Sequence, residues 1–169
     1  MRALVEQGKN YEVALIASNN PEAAGIAWAR ARGLATWAKD SKGMDKESFD
    51  RLLSDALAEH DVGTIALAGF MRILSSWFVH EWAGSIVNIH PSLLPKYRGL
   101  DTHSRAIEAG DSVSGCSVHV VTEELDAGQV LAQAEVNIQA GDTPVTLEQR
   151  VLAAEHQLYP RVLSEFVNR

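Results

Sequence analysis

The stretch TIALAGFMRILSSWFVHEWAGSIVNIH, residues 64–90, contains the two apolar runs that decide the fold. The runs at 64–68 and 85–89 have the length and apolar character of parallel strands that are covered on both faces. Residues 76–82, between them, predict a helix. A strand, a helix and a second strand in this order predict a parallel sheet, whose ligands gather beyond the carboxyl ends of its strands. The residues that follow each run are therefore candidate site residues.

Upstream of this stretch, the alternation of strands and helices continues. An apolar run predicts a strand over 11–18, and the residues after it predict a helix over 22–32. A short strand is expected at 34–37. The segment 45–60 predicts a helix, because its apolar residues recur on one helical face. We therefore expect helices on both faces of a doubly wound sheet.

Downstream, the pattern becomes that of an antiparallel hairpin. Apolar and polar residues alternate over 114–121, and a second strand is expected at 130–138 after a glycine-containing loop. A threonine followed by a proline, residues 143–144, predicts the start of a long helix that Pro160 should kink or break. The sequence thus predicts an α/β fold with a mostly parallel doubly wound sheet, a C-terminal antiparallel hairpin and a long helix. We expect residues 1–169 to form a single domain.

The first eight residues, MRALVEQG, predict the end of a helix. A doubly wound sheet normally opens instead with its central strand and a turn whose backbone amides hold phosphate. We therefore expect that the first central strand is missing from residues 1–169. The functional polypeptide should then carry about 10 to 15 further residues upstream, enough for one strand and its turn.

The composition describes an ordinary globular chain of 169 residues, of which 46% are apolar and 22% charged. There are 22 Asp and Glu against 15 Lys and Arg, and the formal net charge of −7 disfavours a nucleic-acid partner. No stretch reaches the roughly 18 apolar residues of a membrane span. Cys116 is the single cysteine, so we expect no intrachain disulfide and a reducing, cytoplasmic setting.

The segment NIHPSLLPKYRG, residues 88–99, concentrates residue types that act on carbonyl groups. Asn88 and His90 lie two apart at the end of an extended run, so in a strand both side chains point the same way. An amide donates to a developing oxyanion, and an imidazole moves a proton near neutral pH. Pro91 and Pro95 restrict the backbone that follows. The pair favours attack on a carbonyl, although an isolated pair at a strand end more often only caps or hydrogen-bonds.

The segment EELDAG, residues 123–128, supplies a carboxylate in the hairpin loop. If folding brings Asp126 to His90, the carboxylate favours the charged imidazole or orients a water molecule. An ordinary acidic turn is the alternative interpretation.

Four motifs of the chain resemble one enzyme family. They are NIHPSLLPKYRGLDTH at 88–103, LAGFMRILS at 67–75, SVHVVTEELDAG at 117–128 and AEHQLYP at 154–160. Over nearly its whole length the chain is similar to the phosphoribosylglycinamide formyltransferase family, the 10-formyltetrahydrofolate-dependent formyltransferases of purine synthesis. The Asn, His and Asp triad is shared by all formyl-folate transferases and hydrolases, whereas KYRGLDTH and AEHQLYP narrow the resemblance to the glycinamide ribonucleotide branch.

The resemblance implies a reaction and a set of catalytic residues. Formyl passes from the co-substrate 10-formyltetrahydrofolate to the amino group of 5-phosphoribosylglycinamide through a tetrahedral intermediate. By the same resemblance, Asn88 donates to its oxyanion and His90 assists proton transfer. Asp126 holds an ordered water molecule or keeps His90 suitably protonated.

The resemblance also implies binding residues. Those that it places at the folate are Lys46, Met71, Arg72, Ile73, Leu74 and Asn88. Those that it places at the ribonucleotide are Pro91 and Glu155. We expect no metal, because the remaining histidines show no metal-ligand spacing, and we expect a monomer or a homodimer.

Two alternatives to this function stay open from the sequence. One is another formyl-folate enzyme, either a hydrolase or a different N-formyltransferase such as that for methionyl-tRNA. The other is a catalytically silent folate-binding module that lacks the phosphate loop. The silent module predicts folate binding without formyl transfer, whereas the transferase requires turnover that depends on the ribonucleotide.

Overall fold

The computed structural model describes residues 1–169 as six helices and six strands. The helices are α1 Arg2–Gln7, α2 Ala24–Arg30, α3 Lys46–Glu59, α4 Ser76–Glu81, α5 Thr102–Glu108 and α6 Pro144–Phe166. The strands are β1 Ile16–Ser18, β2 Thr36–Ala38, β3 Ile65–Leu67, β4 Ile86–His90, β5 Val113–Val120 and β6 Val130–Asn137. The predicted α/β class is confirmed, and none of the helices combines the length and apolar character that a membrane crossing requires.

The strands form two sheets. β1 and β2 pair in parallel as one sheet, and the other has the order β3-β4-β5-β6. Its first pair is parallel, as the run at 64–90 predicts, while β4–β5 and β5–β6 are antiparallel. The hairpin predicted at the C-terminal end is therefore confirmed. The parallel strands were expected in one sheet and are found in two.

The strand predicted over 11–18 is wrong for its first part, since β1 contains Ile16–Ser18 alone. β2 is equally short, so residues 11–15 have no neighbouring strand with which to exchange hydrogen bonds. Their apolar side chains still turn inward. Tyr11, for example, packs against the main core.

The helix predicted at 45–60 is confirmed as α3. The Asp45 carboxylate caps it by accepting a hydrogen bond from the Ser48 backbone N–H at 2.9 Å. Phe49, Leu53 and Leu57 share one buried face. Burial of a side chain as large as Phe49 contributes roughly 2 kcal/mol to the free energy of folding, so this face anchors the helix to the sheet.

The sequence analysis did not predict α5. This helix is short, and its sequence THSRAIE is largely polar, so no periodic apolar face announces it. Asp101 precedes it in the left-handed conformation, with φ of 57°. Thr102 and Ala106 are its buried residues.

The long C-terminal helix starts as predicted but is not broken at Pro160. Thr143 and Thr146 form a reciprocal capping box at its start. α6 then continues through Pro160 to Phe166, so the predicted break is wrong. Residues on both sides of the proline, among them Tyr159 and Val162, are buried in the core, and this packing holds the helix together.

Helices cover both faces of the four-stranded sheet. Ile86 and Val87 are adjacent in β4 and point to opposite faces. Ile86 belongs to a core built with α3 and α4, whereas Val87 belongs to one built with β5 and α6. The predicted arrangement of helices on both sides is confirmed.

An apolar groove of about 350 Å³ separates the two sheets. Ile16 of β1 and Ala66 of β3 line it, together with Leu4 of α1 and Leu163 of α6. Each of these two strands pairs with a neighbour on one edge only.

Candidate active site

The carboxyl end of β4 carries the two residues that the sequence singles out. Asn88 is half-buried, and His90 is 5% exposed. In the antiparallel pairing with β5, Asn88 lies opposite His119 and His90 lies opposite Ser117. Both candidates therefore stand on a strand that is paired on both sides, which fixes their backbone.

Asp126 reaches this strand end from the hairpin loop between β5 and β6. Its Oδ2 lies 3.3 Å from His90 Nδ1 and accepts a hydrogen bond from the Gly99 N–H at 2.9 Å. The His90 and Asp126 side chains are only 7% and 8% exposed. The juxtaposition that the sequence left conditional is thus present in the structure.

His119 joins the same cluster, and the sequence analysis gave it no role. Its Nε2 lies 3.2 Å from Asn88 Nδ2 and 3.6 Å from Asp126 Oδ1, and its Nδ1 donates to the Val120 carbonyl at 3.0 Å. With the proton on Nδ1, Nε2 is free to accept from the Asn88 amide. The signal for this residue was the strand register, which places it opposite Asn88.

The charge of Asp126 is stabilised by its neighbours. Burial opposes ionisation, but the hydrogen bond from the Gly99 N–H and the nearby imidazoles of His119 and His90 outweigh it and hold the pKa of Asp126 below its usual range. The carboxylate is therefore ionised at neutral pH and presents two oxygens to the histidines.

The second nitrogen of His90 also faces an acceptor. Nε2 donates to the Tyr97 carbonyl at 2.9 Å. With Asp126 on one side and this carbonyl on the other, the protonated ring satisfies both partners as a donor. Both nitrogens of the His90 ring therefore face acceptor oxygens.

The loop after β4 is fixed by buried hydroxyl groups. Ser117 Oγ accepts from the Leu94 N–H at 2.9 Å and donates to the Ser92 carbonyl at 2.6 Å. Ser92 Oγ in turn donates to the Lys96 carbonyl at 2.6 Å. These bonds determine where the Tyr97 carbonyl lies, and so they position His90 indirectly.

Gly128 brings the hairpin loop close to the sheet. A Cβ atom at this residue would lie 1.8 Å from the Val120 carbonyl oxygen, which no side chain tolerates. Arg98 pairs with Glu124 at 2.6 Å and links the same loop to the segment after β4. Asp126 is therefore held between two backbone segments.

The segment between β3 and α4, residues 69–74, forms a second, contrasting region. Met71 and Ile73 are 78% and 66% exposed, whereas Leu74 is half-buried. The Arg72 guanidinium lies 4.8 Å from the centre of the Phe49 ring, and its Nε has no hydrogen-bond partner. This segment, termed the β3–α4 loop below, presents apolar side chains outward.

No side-chain hydrogen bond or ion pair joins the remaining predicted residues to the cluster. Lys46 is the exposed first residue of α3, and no ion pair involves it. Burial raises the pKa of Glu155 to about 7, and Glu148 adds to this increase. Pro91 directly follows His90 in the chain and is half-buried. The structure therefore unites Asn88, His90 and Asp126 but not the whole predicted set.

The cluster has the parts required for acyl transfer to an amine. An amide donor, an imidazole and a carboxylate converge at one strand end, where developing negative charge is stabilised and a proton is moved. No group of three or more His, Cys, Asp or Glu side chains has a geometry that could hold a metal ion.

Comparison with known proteins agrees with this chemistry. Residues 1–163 match the formyl transferase family. The chain is 46% identical over 157 residues to phosphoribosylglycinamide formyltransferase of Escherichia coli K12, a match covering 92% of this chain and 74% of that protein. It is 40% identical over 159 residues to the trifunctional purine biosynthetic protein adenosine-3 of Homo sapiens, covering 94% of this chain and 16% of that protein.

A solved structure is also similar over nearly the whole chain. The crystal structure of phosphoribosylglycinamide formyltransferase from Bacillus halodurans superposes with a TM-score of 0.92 at 33% sequence identity. The match covers 99% of this chain and 89% of that one. The resemblance inferred from the four motifs is confirmed, and the chain belongs to the formyl transferase family.

Proposed function

We propose that this chain transfers a formyl group from 10-formyltetrahydrofolate to the amino group of 5-phosphoribosylglycinamide in purine synthesis. The observation that carries the proposal is the buried cluster of Asn88, His90, His119 and Asp126 at the end of β4. The relatives in Escherichia coli and Bacillus halodurans bear the name of this activity.

Asn88 stabilises the intermediate in this mechanism. The substrate amine attacks the formyl carbon, a new C–N bond forms, and the carbonyl oxygen becomes an oxyanion. One proton of Asn88 Nδ2 is directed to His119, at 3.2 Å, so the other is available to the oxyanion. A donor that is already oriented needs no reorganisation when the charge develops.

His90 and Asp126 handle the proton. The attacking amine loses one proton, and the folate nitrogen gains one as its bond to the formyl carbon breaks. His90 mediates this exchange at Nε2, while the Asp126 carboxylate at Nδ1 stabilises the positive ring.

The β3–α4 loop receives the folate. Its exposed Met71 and Ile73 offer apolar contact to a flat heterocycle, and Leu74 lies beneath them. Arg72 lies on the Phe49 ring in the same segment. Lys46 at the start of α3 offers a cation for an acidic folate tail.

The ribonucleotide contacts Pro91 and Glu155 in this proposal. Glu155 titrates near neutral pH because it is buried on α6. Above a pH of about 7 its carboxylate is charged and accepts hydrogen bonds from an amine or a hydroxyl.

The test is product release from a 10-formyl folate analogue, followed spectrophotometrically with and without the ribonucleotide. We expect release that depends on the ribonucleotide and is lost in His90→Ala. His156→Ala, which alters an exposed histidine of α6, is the matched control and should leave the rate unchanged.

The other outcomes separate the alternatives. Release without the ribonucleotide indicates a formyl-folate hydrolase and contradicts the proposal. Folate binding without release indicates the silent binding module. A rate in His90→Ala equal to that of the parent contradicts the role of the cluster.

A further inference from the structure

The β3–α4 loop lacks backbone hydrogen bonds that would hold its conformation. No backbone N–H or C=O group of residues 69–74 bonds to another backbone group. Groups of this kind bond to water or to a ligand. Because residues 69–74 form no backbone hydrogen bonds with one another, the residues at each end of the loop must be held in place if the loop is to present its backbone groups in one geometry.

Tyr159 of α6 holds the entry to this loop. Its hydroxyl lies 3.0 Å from the carbonyl oxygen of Leu67, the last residue of β3, and 2.8 Å from that of Val87, which precedes Asn88. The side chain is 4% exposed, and burial raises its pKa well above the ordinary value, so the phenol keeps its proton. One proton is thus shared between the strand ends that lead to the two regions of the site.

Asp50 of α3 holds the exit. The carboxylate is 1% exposed, and its Oδ2 accepts a hydrogen bond from the Ser75 backbone N–H at 2.6 Å. Ser75 caps α4 through its own hydroxyl, which accepts from the Phe78 N–H. A hydrogen bond from a backbone N–H to a carboxylate is stronger than one between two neutral groups.

We propose that Asp50 and Tyr159 are positioning residues that clamp the two ends of the β3–α4 loop and so set the affinity of the formyl-donor site. This inference rests on the proposed function, because it requires the loop to receive the folate. Neither residue touches the folate in it. Asp50 acts through the backbone N–H of Ser75, directly after the loop, and Tyr159 acts through the carbonyl of Leu67, two residues before it.

The test compares clamp variants with matched controls. Tyr159→Phe removes one hydroxyl, and Asp50→Ala removes the carboxylate that Ser75 needs. Tyr11→Phe removes a hydroxyl that packs against the same core but bonds to the Leu4 carbonyl of α1 instead of a strand end, and Asp55→Asn alters an exposed carboxylate of α3. Asp50→Asn retains an acceptor oxygen for Ser75 and serves as the conservative rescue.

We expect the KM for the formyl donor to rise about tenfold in Asp50→Ala and about threefold in Tyr159→Phe, as for a lost charged and a lost neutral hydrogen bond. The KM for the ribonucleotide and the kinetics of both controls should stay near the parent values. The dissociation constant of folic acid, measured by calorimetry, should rise in parallel. Asp50→Asn should recover most of the loss.

Several results would overturn the clamp. An unchanged donor KM in Tyr159→Phe does so, and so does an equal rise in both KM values, which indicates general loosening. If Asp50→Ala fails to fold, Tyr159→Phe still decides, because it removes the clamp hydroxyl alone. A parent that binds folic acid while both clamp variants bind it equally well overturns the clamp alone. A parent that neither binds folic acid nor turns over overturns the proposed function along with it.

Discussion

The two regions of the site are built on opposite principles. The polar cluster of Asn88, His90, His119 and Asp126 is buried, and each of its side chains has a partner inside the protein. The β3–α4 loop is exposed and makes no backbone hydrogen bond of its own. Groups that move charge must be placed to a fraction of an ångström, whereas an apolar surface tolerates adjustment. We therefore assign the chemical step to the polar cluster and binding of the formyl donor to the β3–α4 loop.

The largest effect on either region is expected when the oxyanion donor of the polar cluster is removed. We expect Asn88→Ala to lower kcat about a hundredfold or more, since one such donor contributes on the order of 3 kcal/mol to the transition state. The KM for the formyl donor should change much less than kcat, because Asn88 is only one of the residues expected at the folate and the loop is untouched. Steady-state kinetics with both substrates measures the split.

The control for this variant is Asn168→Ala, at the far C-terminal end, where the amide bonds to two backbone carbonyls. A kcat for Asn88→Ala within threefold of the parent contradicts the role of the amide. A selective rise in the donor KM would contradict the separation of the two regions.

The next effect concerns the stability that the polar cluster provides. The pKa of Asp126 is lower in the folded chain than its ordinary value of 3.8, so its contribution is fully present above that value and is lost as pH falls through the folded pKa. We expect Asp126→Asn to cost about 2 kcal/mol of unfolding free energy at neutral pH, as for a lost charged hydrogen bond. The difference from the parent should shrink in acid.

Urea denaturation of parent and variant between neutral pH and pH 3 measures this dependence. Asp55→Asn serves as the control, because that carboxylate is exposed on α3. A difference that is constant with pH, or that grows in acid, contradicts the assignment of a stabilised charge to Asp126.

A smaller effect is expected where the cluster holds its own donor. His119→Ala leaves the Asn88 amide without its acceptor, and we expect kcat to fall about tenfold, as for one lost hydrogen bond. His119→Gln offers a carbonyl oxygen to the same amide and should recover part of the loss. His156→Ala on α6 is the control. Equal rates for the Ala and Gln variants would indicate that His119 acts by packing alone.

The smallest effect is expected in the recognition region. Ile73 is 66% exposed, so Ile73→Ala should leave the unfolding free energy almost unchanged. It should raise the KM for the formyl donor about threefold, as for the loss of part of one apolar contact. Leu152→Ala, an exposed leucine on α6, is the control. A fall in kcat without a change in the KM for the formyl donor would contradict the assignment of Ile73 to donor binding.

Local patterns made much of this molecule predictable. The apolar periodicity of α3 and the cap at Thr143 gave helix starts that the structure confirms within one residue. Asn88 and His90 were identifiable because the strand period places both on one side of β4. Asp126 was identifiable because it lies in the motif SVHVVTEELDAG, residues 117–128, which resembles the formyl transferase family.

Features that depend on distant pairing were not predictable. His119 meets Asn88 only through the antiparallel register of β4 and β5, which no local pattern encodes. The separation of the strands into two sheets depends equally on pairing. Pro160 is the opposite case. The local rule for proline predicted a kink or break in α6, but the helix continues through Pro160 because the residues around it are packed in the core.

The order of the strands has a consequence for folding. β3, β4, β5 and β6 lie in the sheet in the order of the chain, so each pairing joins strands that are consecutive in the sequence. All four side chains of the polar cluster come from residues 88–126. The bond from Tyr159 to Leu67, by contrast, spans 92 residues. Contacts of low sequence separation favour fast folding, so a refolding chain should acquire its reactive geometry before Tyr159 bonds to the end of β3 beside the binding loop.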